Sequence, residues 1–202
     1  MLLTPTIIRT IQSQIDSRGG DRIKYPDDAS SPAASLLESK LLFIITILYS
    51  RQGAIFMSYY LKEFFLETPM SRAEYMKTHS KYFPTDIRDQ YQMDGLISED
   101  GYFYIKIIKG MYGLKQASRI AYNQLISHMD PHGYYPVPFT TVLWAHKTRK
   151  TKSCLCVGDF GVKCFTKDDA NHLLYSLKKH YVISTDWERL NYLGLEIDFK
   201  YS

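Results

Sequence analysis

Apolar residues along the chain fall into short blocks separated by Gly, Pro and Asp, and their spacing predicts a mixture of helices and strands. Ser35-Leu36-Leu37-Glu38 has the form of a capping box. Beyond it Leu37, Leu41, Ile44, Ile45 and Leu48 keep helical spacing to Tyr49, which predicts a core helix. Ala54–Leu66 (AIFMSYYLKEFFL) is apolar and aromatic without Gly or Pro, the pattern of a buried strand running into a Thr68-Pro69 turn. Pro84-Thr85-Asp86 opens a short polar helix toward Tyr91, and Gly101–Lys109 alternates as a second strand. From Leu114 to Asp130 a helix places Ala117, Ile120, Ala121, Gln124 and Leu125 on one face, and Asp130-Pro131 closes it. Val142–His146 reads as a short strand. Lys167–Tyr181 reads as an amphipathic helix with Ala170, Leu173, Leu174 and Leu177 inward, and Asn191–Phe199 as a last strand. The first 34 residues are polar and punctuated by Gly19-Gly20 and Pro26–Ala34, loop material apart from Thr6–Ile15. The expected fold is α+β, with helices packed on one face of a mostly antiparallel sheet.

Between the last two helices, Ser153–Phe165 (SCLCVGDFGVKCF) holds two β-prone runs around a Gly158-Asp159 break. Gly at the first central position suits a type II′ turn, so a tight hairpin is predicted with Asp159 at its tip. On these residues alone, a solvated turn explains Asp159 better than chemistry does. Asp159-Phe160-Gly161 also spells the kinase metal-binding tripeptide, but no Gly-rich loop, strand lysine motif or H-R-D loop accompanies it.

Composition narrows the picture only modestly. A chain of 202 residues with 45% hydrophobic content is expected to form one domain of ordinary size, or one domain plus a fragment, with a real core. A net charge of +4 permits a nucleic-acid partner without demanding one, and Lys147, Arg149, Lys150 and Lys152 form the densest basic cluster. That cluster is either a contact for nucleic-acid backbone or a solvated loop. The three cysteines, Cys154, Cys156 and Cys164, all lie in the hairpin. An odd number without a visible secretory leader points to reduced thiols and an intracellular setting, cytoplasmic or nuclear. Their C-x-C spacing in a strand matches no zinc finger, so buried structural thiols are the expectation. Leu41–Tyr49, the most apolar run, is too short to span a bilayer, and no membrane association is expected.

Three segments carry a family resemblance. Phe64-Phe-Leu-Glu-Thr-Pro-Met70, Lys109-Gly-Met-Tyr-Gly-Leu-Lys-Gln-Ala117 and Val157-Gly-Asp-Phe-Gly-Val162 resemble, in order and spacing, the palm motifs of the reverse transcriptase of copia-type retrotransposons. The likeness extends through Gly19-Gly-Asp-Arg22, Lys40-Leu-Leu42, His180-Tyr181 and Tyr192-Leu-Gly-Leu195. It implies a polymerase palm-like domain over residues 35–202 with a partial fingers segment over residues 1–34, no thumb and no ribonuclease H region. The family activity is RNA-directed DNA synthesis, with an RNA or DNA template-primer as partner and Mg²⁺ as cofactor. A pair of hard cations held by carboxylates from adjacent strands stabilises both the attacking and the leaving oxygen.

The resemblance assigns the three metal-binding positions to Tyr60, Gly158 and Asp159, so two of three carboxylates are absent. Glu63 is expected to miss the Tyr60 position, because an offset of three along a strand turns a side chain to the other face. Asp168 and Asp169 sit at a helix start, where the helix dipole accounts for them. Lys115 and Gln116 match the helix start beside nucleotide and template; a solvated first turn explains them equally well. Phe160 and Tyr192 are expected to be packing residues, and Tyr112 fits either role. Three functions follow: a polymerase with an unusual metal arrangement, a noncatalytic module that binds nucleic acid weakly, or a catalytically inactive relic. The lost ligands favour the last, with Mg²⁺ not bound productively.

Overall fold

The structure is a computed structural model, described for residues 36–66, 68–111, 114–186 and 190–197. The capping residue Ser35, the loop material before it and Tyr112 lie outside the described residues. Among those described, four α-helices and ten strands follow one another: α1 Leu36–Leu48, β1 Ile55–Leu61, β2 Pro69–His79, α2 Thr85–Gln90, β3 Tyr102–Lys109, α3 Lys115–Met129, β4 Tyr134–Val137, β5 Thr140–His146, β6 Lys152–Cys156, β7 Asp159–Cys164, α4 Lys167–Lys178, β8 Ile183–Asp186, β9 Leu190–Tyr192 and β10 Leu195–Ile197. The fold is α+β with antiparallel sheets, and no thumb is evident among the described residues.

The chain divides into two units. Described residues within Phe65–Ile120 form the first, and those within Ser31–Phe64 and Ala121–Ser202 form the second. In the first unit β2 and β3 pair as an antiparallel ribbon. Phe83, Met93, Phe103, Ile105, Ile107, Met111, Leu114 and Ala117 make its core. β3 alternates buried and exposed positions as expected. β2 was not foreseen: its sequence PMSRAEYMKTH is mostly polar and has a single buried residue, so burial leaves no period in it. The expected Thr68-Pro69 turn is corrected, since Pro69 is the first residue of β2, a place where a missing N–H does little harm.

The second unit is built on a six-stranded sheet in the order β4-β5-β6-β7-β1-β8, antiparallel at every pair. The strand expected over Ala54–Leu66 ends at Leu61, because Glu63 takes a left-handed φ of 55° in the turn that follows. β4 and β8 are the edges, and Pro136 in β4 is tolerated for that reason. The expected closing strand is instead a hairpin, β9 and β10, turning through Leu193 and Gly194, both at positive φ.

Alternation splits the sheet into two faces. On one, the Tyr59 hydroxyl donates to the carbonyl of Ala170 in α4 at 2.9 Å. Trp144 there meets Tyr122 of α3 edge-on at 6.0 Å. Ala170, Leu173, Leu174 and Leu177 of α4 are buried as predicted, and the Thr166 hydroxyl caps the helix by accepting from the Asp169 N–H. The other face carries Phe56, which meets Phe43 of α1 at 5.2 Å and Tyr192 at 5.8 Å, both edge-on. Gly161 lies beneath them; a Cβ there would come within 2.9 Å of Tyr192 and 3.1 Å of Leu42 and Phe56, so only glycine lets α1 and β9 settle.

The inner face of α1 differs from the prediction. Ser39, Leu42 and Thr46 are buried, whereas Leu37 and Leu48 are 64% and 70% exposed and Leu41 and Ile44 also face outward. The helix is apolar nearly all round, so spacing alone selects no face. Leu42 turns inward because Gly161 opens a space for it, and the Thr46 hydroxyl satisfies itself on the Leu42 carbonyl at 2.8 Å.

Candidate functional site

β6 and β7 form the expected hairpin, with its turn one residue earlier than predicted. Cys156 and Asp159 are the last paired residues, so the two turn residues are Val157 and Gly158. Val157, not Gly158, carries the positive φ, at 59°. Positive φ at the first central position alone is the type II′ pattern, but here it falls on a β-branched residue, where it is strained. Asp159 is thereby the first residue of β7 rather than the apex of the turn.

β7 pairs with β1 so that Tyr60 stands opposite Asp159. β1 pairs in turn with β8, which sets Ser184 opposite Tyr60. Directly opposed residues share a face, so Cys156, Asp159, Tyr60 and Ser184 form one row across four strands. The row holds a single carboxylate. Asp159 is half-buried, and that burial raises its pKa above the usual carboxylate value. The neighbouring Cys156 thiol is pushed up by burial first and by the Asp159 charge second. Tyr60 is 44% exposed.

Gly158 has a structural reason of its own. Its carbonyl accepts from the Leu61 N–H at 2.8 Å. A Cβ at Gly158 would sit 2.8 Å from the Leu61 carbonyl oxygen and 3.5 Å from the Tyr60 ring. Any side chain there, an aspartate included, collides with the β1 backbone.

Two magnesium ions need several convergent oxygens. Among the described residues no group of three or more His, Cys, Asp or Glu is placed to hold a metal ion. Glu63 lies beyond the end of β1 in a left-handed turn, so the turn rather than strand alternation sets its place. Asp168 and Asp169 at the start of α4 accept from the Arg149 guanidinium at 2.8 and 2.9 Å. The residues present at the Tyr60, Gly158 and Asp159 positions do not fit a magnesium pair.

Lys115 and Gln116 open α3 and belong to the first unit. The Gln116 amide donates to Glu74 at 3.0 Å, and Glu74 also takes an ion pair from Arg72 at 3.0 Å. The Gln116 side-chain carbonyl is buried without a hydrogen-bond partner among the described residues.

The basic cluster is not four equivalent cations. Lys147 is paired with Asp130 at 3.2 Å, and Arg149 with Asp168 and Asp169. Lys150 and Lys152 have no ion-pair partner among the described residues. The residue that sequence reasoning missed is Lys163, only 4% exposed near the end of β7 and directly opposite Lys152. Its one visible signal is a lysine inside the apolar run Gly161–Phe165. Phe160 and Tyr192 are packing residues, each 1% exposed, and Tyr192 donates its hydroxyl to the Cys154 carbonyl at 3.0 Å. Cys154 and Cys164 are buried thiols; burial pushes Cys164 up to about 12. No described helix is long and apolar enough to cross a membrane.

No family model matches this chain, and no curated protein matches it. Among solved structures it is similar to apo telomerase from Candida tropicalis truncated from the C-terminal domain, at 13% identity and a TM-score of 0.44. The match covers 96% of this chain and 43% of the telomerase chain, so this chain spans less than half the length of that protein.

Proposed function

We propose that this chain is a palm-like module of copia-type reverse-transcriptase descent in which DNA synthesis has been lost, a catalytically silent relic of that enzyme. The observation that carries this reading is the row Cys156, Asp159, Tyr60 and Ser184, which holds one half-buried carboxylate where the family pattern calls for three converging ones. It is supported by the pairing of Tyr60 with Asp159, since the motif resemblance requires those two positions to adjoin. A Mg²⁺ pair in the family positions supplies several kcal/mol of transition-state stabilisation, and each 1.4 kcal/mol is about tenfold in rate. Without it, primer extension on a defined template falls by at least about 10⁴-fold from that of an intact enzyme. The test is incorporation by the full chain with Mg²⁺ or Mn²⁺: background alone is expected. Templated incorporation that disappears in Asp159→Asn overturns the reading.

A second reading is a noncatalytic module that holds an RNA or DNA template-primer weakly, favoured by Lys150 and Lys152 being without ion-pair partners among the described residues. Binding of a duplex through these two lysines gives a salt slope that flattens by roughly one unit for each phosphate contact removed. Binding indifferent to salt, or unchanged in Lys150→Gln with Lys152→Gln, excludes it.

A further inference from the structure

The second unit contains a cavity of about 680 Å³ that the hairpin-tip site does not use. Its size is that of a small-ligand pocket. Leu42 and Ile45 of α1 and Leu143 of β5 line its apolar side, and Lys150, Lys152 and Lys163 its basic side. The ammonium groups of Lys163 and Lys150 lie 3.7 and 5.6 Å from the centroid of the same Phe165 ring, and that of Lys163 is also 4.9 Å from the Tyr49 ring. Two cations are thus gathered at one aromatic ring, with the third lysine directly opposite Lys163 on the next strand.

This arrangement is costly when empty of counter-charge. Like charges directly opposed across two strands repel, and a buried ammonium without a carboxylate is expensive. None of the three lysines has an ion-pair partner among the described residues. Burial lowers the Lys163 pKa; the adjacent Cys164 pulls it back up, and the charges of Lys152 and Lys150 press it down again. Ring contacts with Phe165 and Tyr49 offset part of this. Arg149, also in the lining, is held by Asp168 and Asp169. Counting that triad, the basic side keeps an excess of two positive charges. A phosphate monoester, with about −1.5 to −2 charge at neutral pH, matches that excess; a single carboxylate does not.

We propose that this cavity binds an organic phosphate monoester, its phosphate held by Lys150, Lys152 and Lys163 and its apolar or aromatic body lying against Leu42, Ile45 and Leu143. The chemistry fits a mononucleotide or phosphatidic acid, the phospholipid whose headgroup is itself a phosphate monoester, and it is independent of the ancestry of the sheet.

Calorimetric titration of the full chain with inorganic phosphate, a nucleoside 5′-monophosphate and monomeric short-chain phosphatidic acid tests this. At least one organic phosphate is expected to bind about tenfold or more tightly than inorganic phosphate, and which of the two prevails identifies the source. Loss of one charged contact is expected to weaken that binding by about tenfold in Lys163→Met or in Lys152→Gln. Lys147→Gln, whose ammonium is committed to Asp130, leaves it unchanged. Lys152 is exposed, so its variant carries the test even if the buried Lys163 cannot be replaced without unfolding. Equal or weaker affinity for both organic phosphates than for inorganic phosphate overturns the proposal, as does a loss well under tenfold in both lysine variants.

Discussion

The two ends of one hairpin, on one face of one sheet, have opposite electrostatic characters. At the tip, Asp159 is flanked by Cys156 and Tyr60, and the turn is closed so tightly on the Leu61 carbonyl that no side chain fits at Gly158. Four residues further along β7, Lys163 lies opposite Lys152 beside an open cavity, with positive charge unneutralised among the described residues. A metal site needs clustered anions and room for cations. The tip has one anion and no room, while the far end has clustered cations and room for an anion. Whatever binding this sheet performs is therefore expected at its basic end.

The largest effect belongs to the closed tip. Gly158→Asp, the change that would rebuild one lost ligand, is expected to cost about 3 kcal/mol in urea denaturation, because its Cβ meets backbone and a charge is added at a buried position. Rebuilding the ligand set by substitution therefore damages the hairpin instead of reviving synthesis. A Gly158→Asp chain as stable as the parent would mean the tip is not closed on β1.

At the basic end the sign reverses. Lys163→Met removes a buried cation and fits a flexible apolar chain between Tyr49 and Phe165; it is expected to stabilise the protein by about 1.5 kcal/mol in the same measurement. A loss of stability would show that the cation–ring contacts outweigh the burial cost. At the tip again, Val157→Gly relieves the left-handed φ of a β-branched residue and is expected to gain about 1 kcal/mol, with little packing lost because Val157 faces solvent.

The smallest effect is a pH dependence. Burial raises the folded pKa of Asp159 above its ordinary 3.8, so the folded state holds that proton more tightly than the unfolded chain. Its contribution to stability is fully present below 3.8 and is lost as the pH rises through the raised value. In Asp159→Asn the stability profile should flatten in that window and nowhere else, as followed by denaturation at successive pH values. An unchanged profile would mean that Asp159 is solvated.

Much of the frame was legible in the sequence, for identifiable reasons. β3 and α4 each have one wet and one dry face, so their periods of two and 3.6 survive in the residues. α1 hid its orientation because it is apolar on both sides, and only Gly161, more than a hundred positions away, determines which side is covered. β2, β4 and β8 were missed because a ribbon strand and edge strands need little apolar pattern, and Pro69 reads as a turn. At the candidate site, the adjacency of Tyr60 and Asp159 was readable from the motif order. The one-residue shift of the turn was not, since it follows from the Leu61 backbone hydrogen bond rather than from Gly158. Lys163 escaped for a similar reason: nothing in its neighbours reveals that Tyr49, distant in sequence, will lie beside it.

Loss of synthesis at the hairpin tip requires that it no longer hold a divalent cation tightly. Titration of the isotope-labelled chain with Mn²⁺, followed by paramagnetic broadening of the backbone amides, measures this residue by residue. The amides of Tyr60, Cys156 and Asp159 are expected to broaden no more than those near an exposed carboxylate such as Asp94, with no saturation below millimolar metal. Selective broadening of those three that saturates at micromolar Mn²⁺ and vanishes in Asp159→Asn would contradict it.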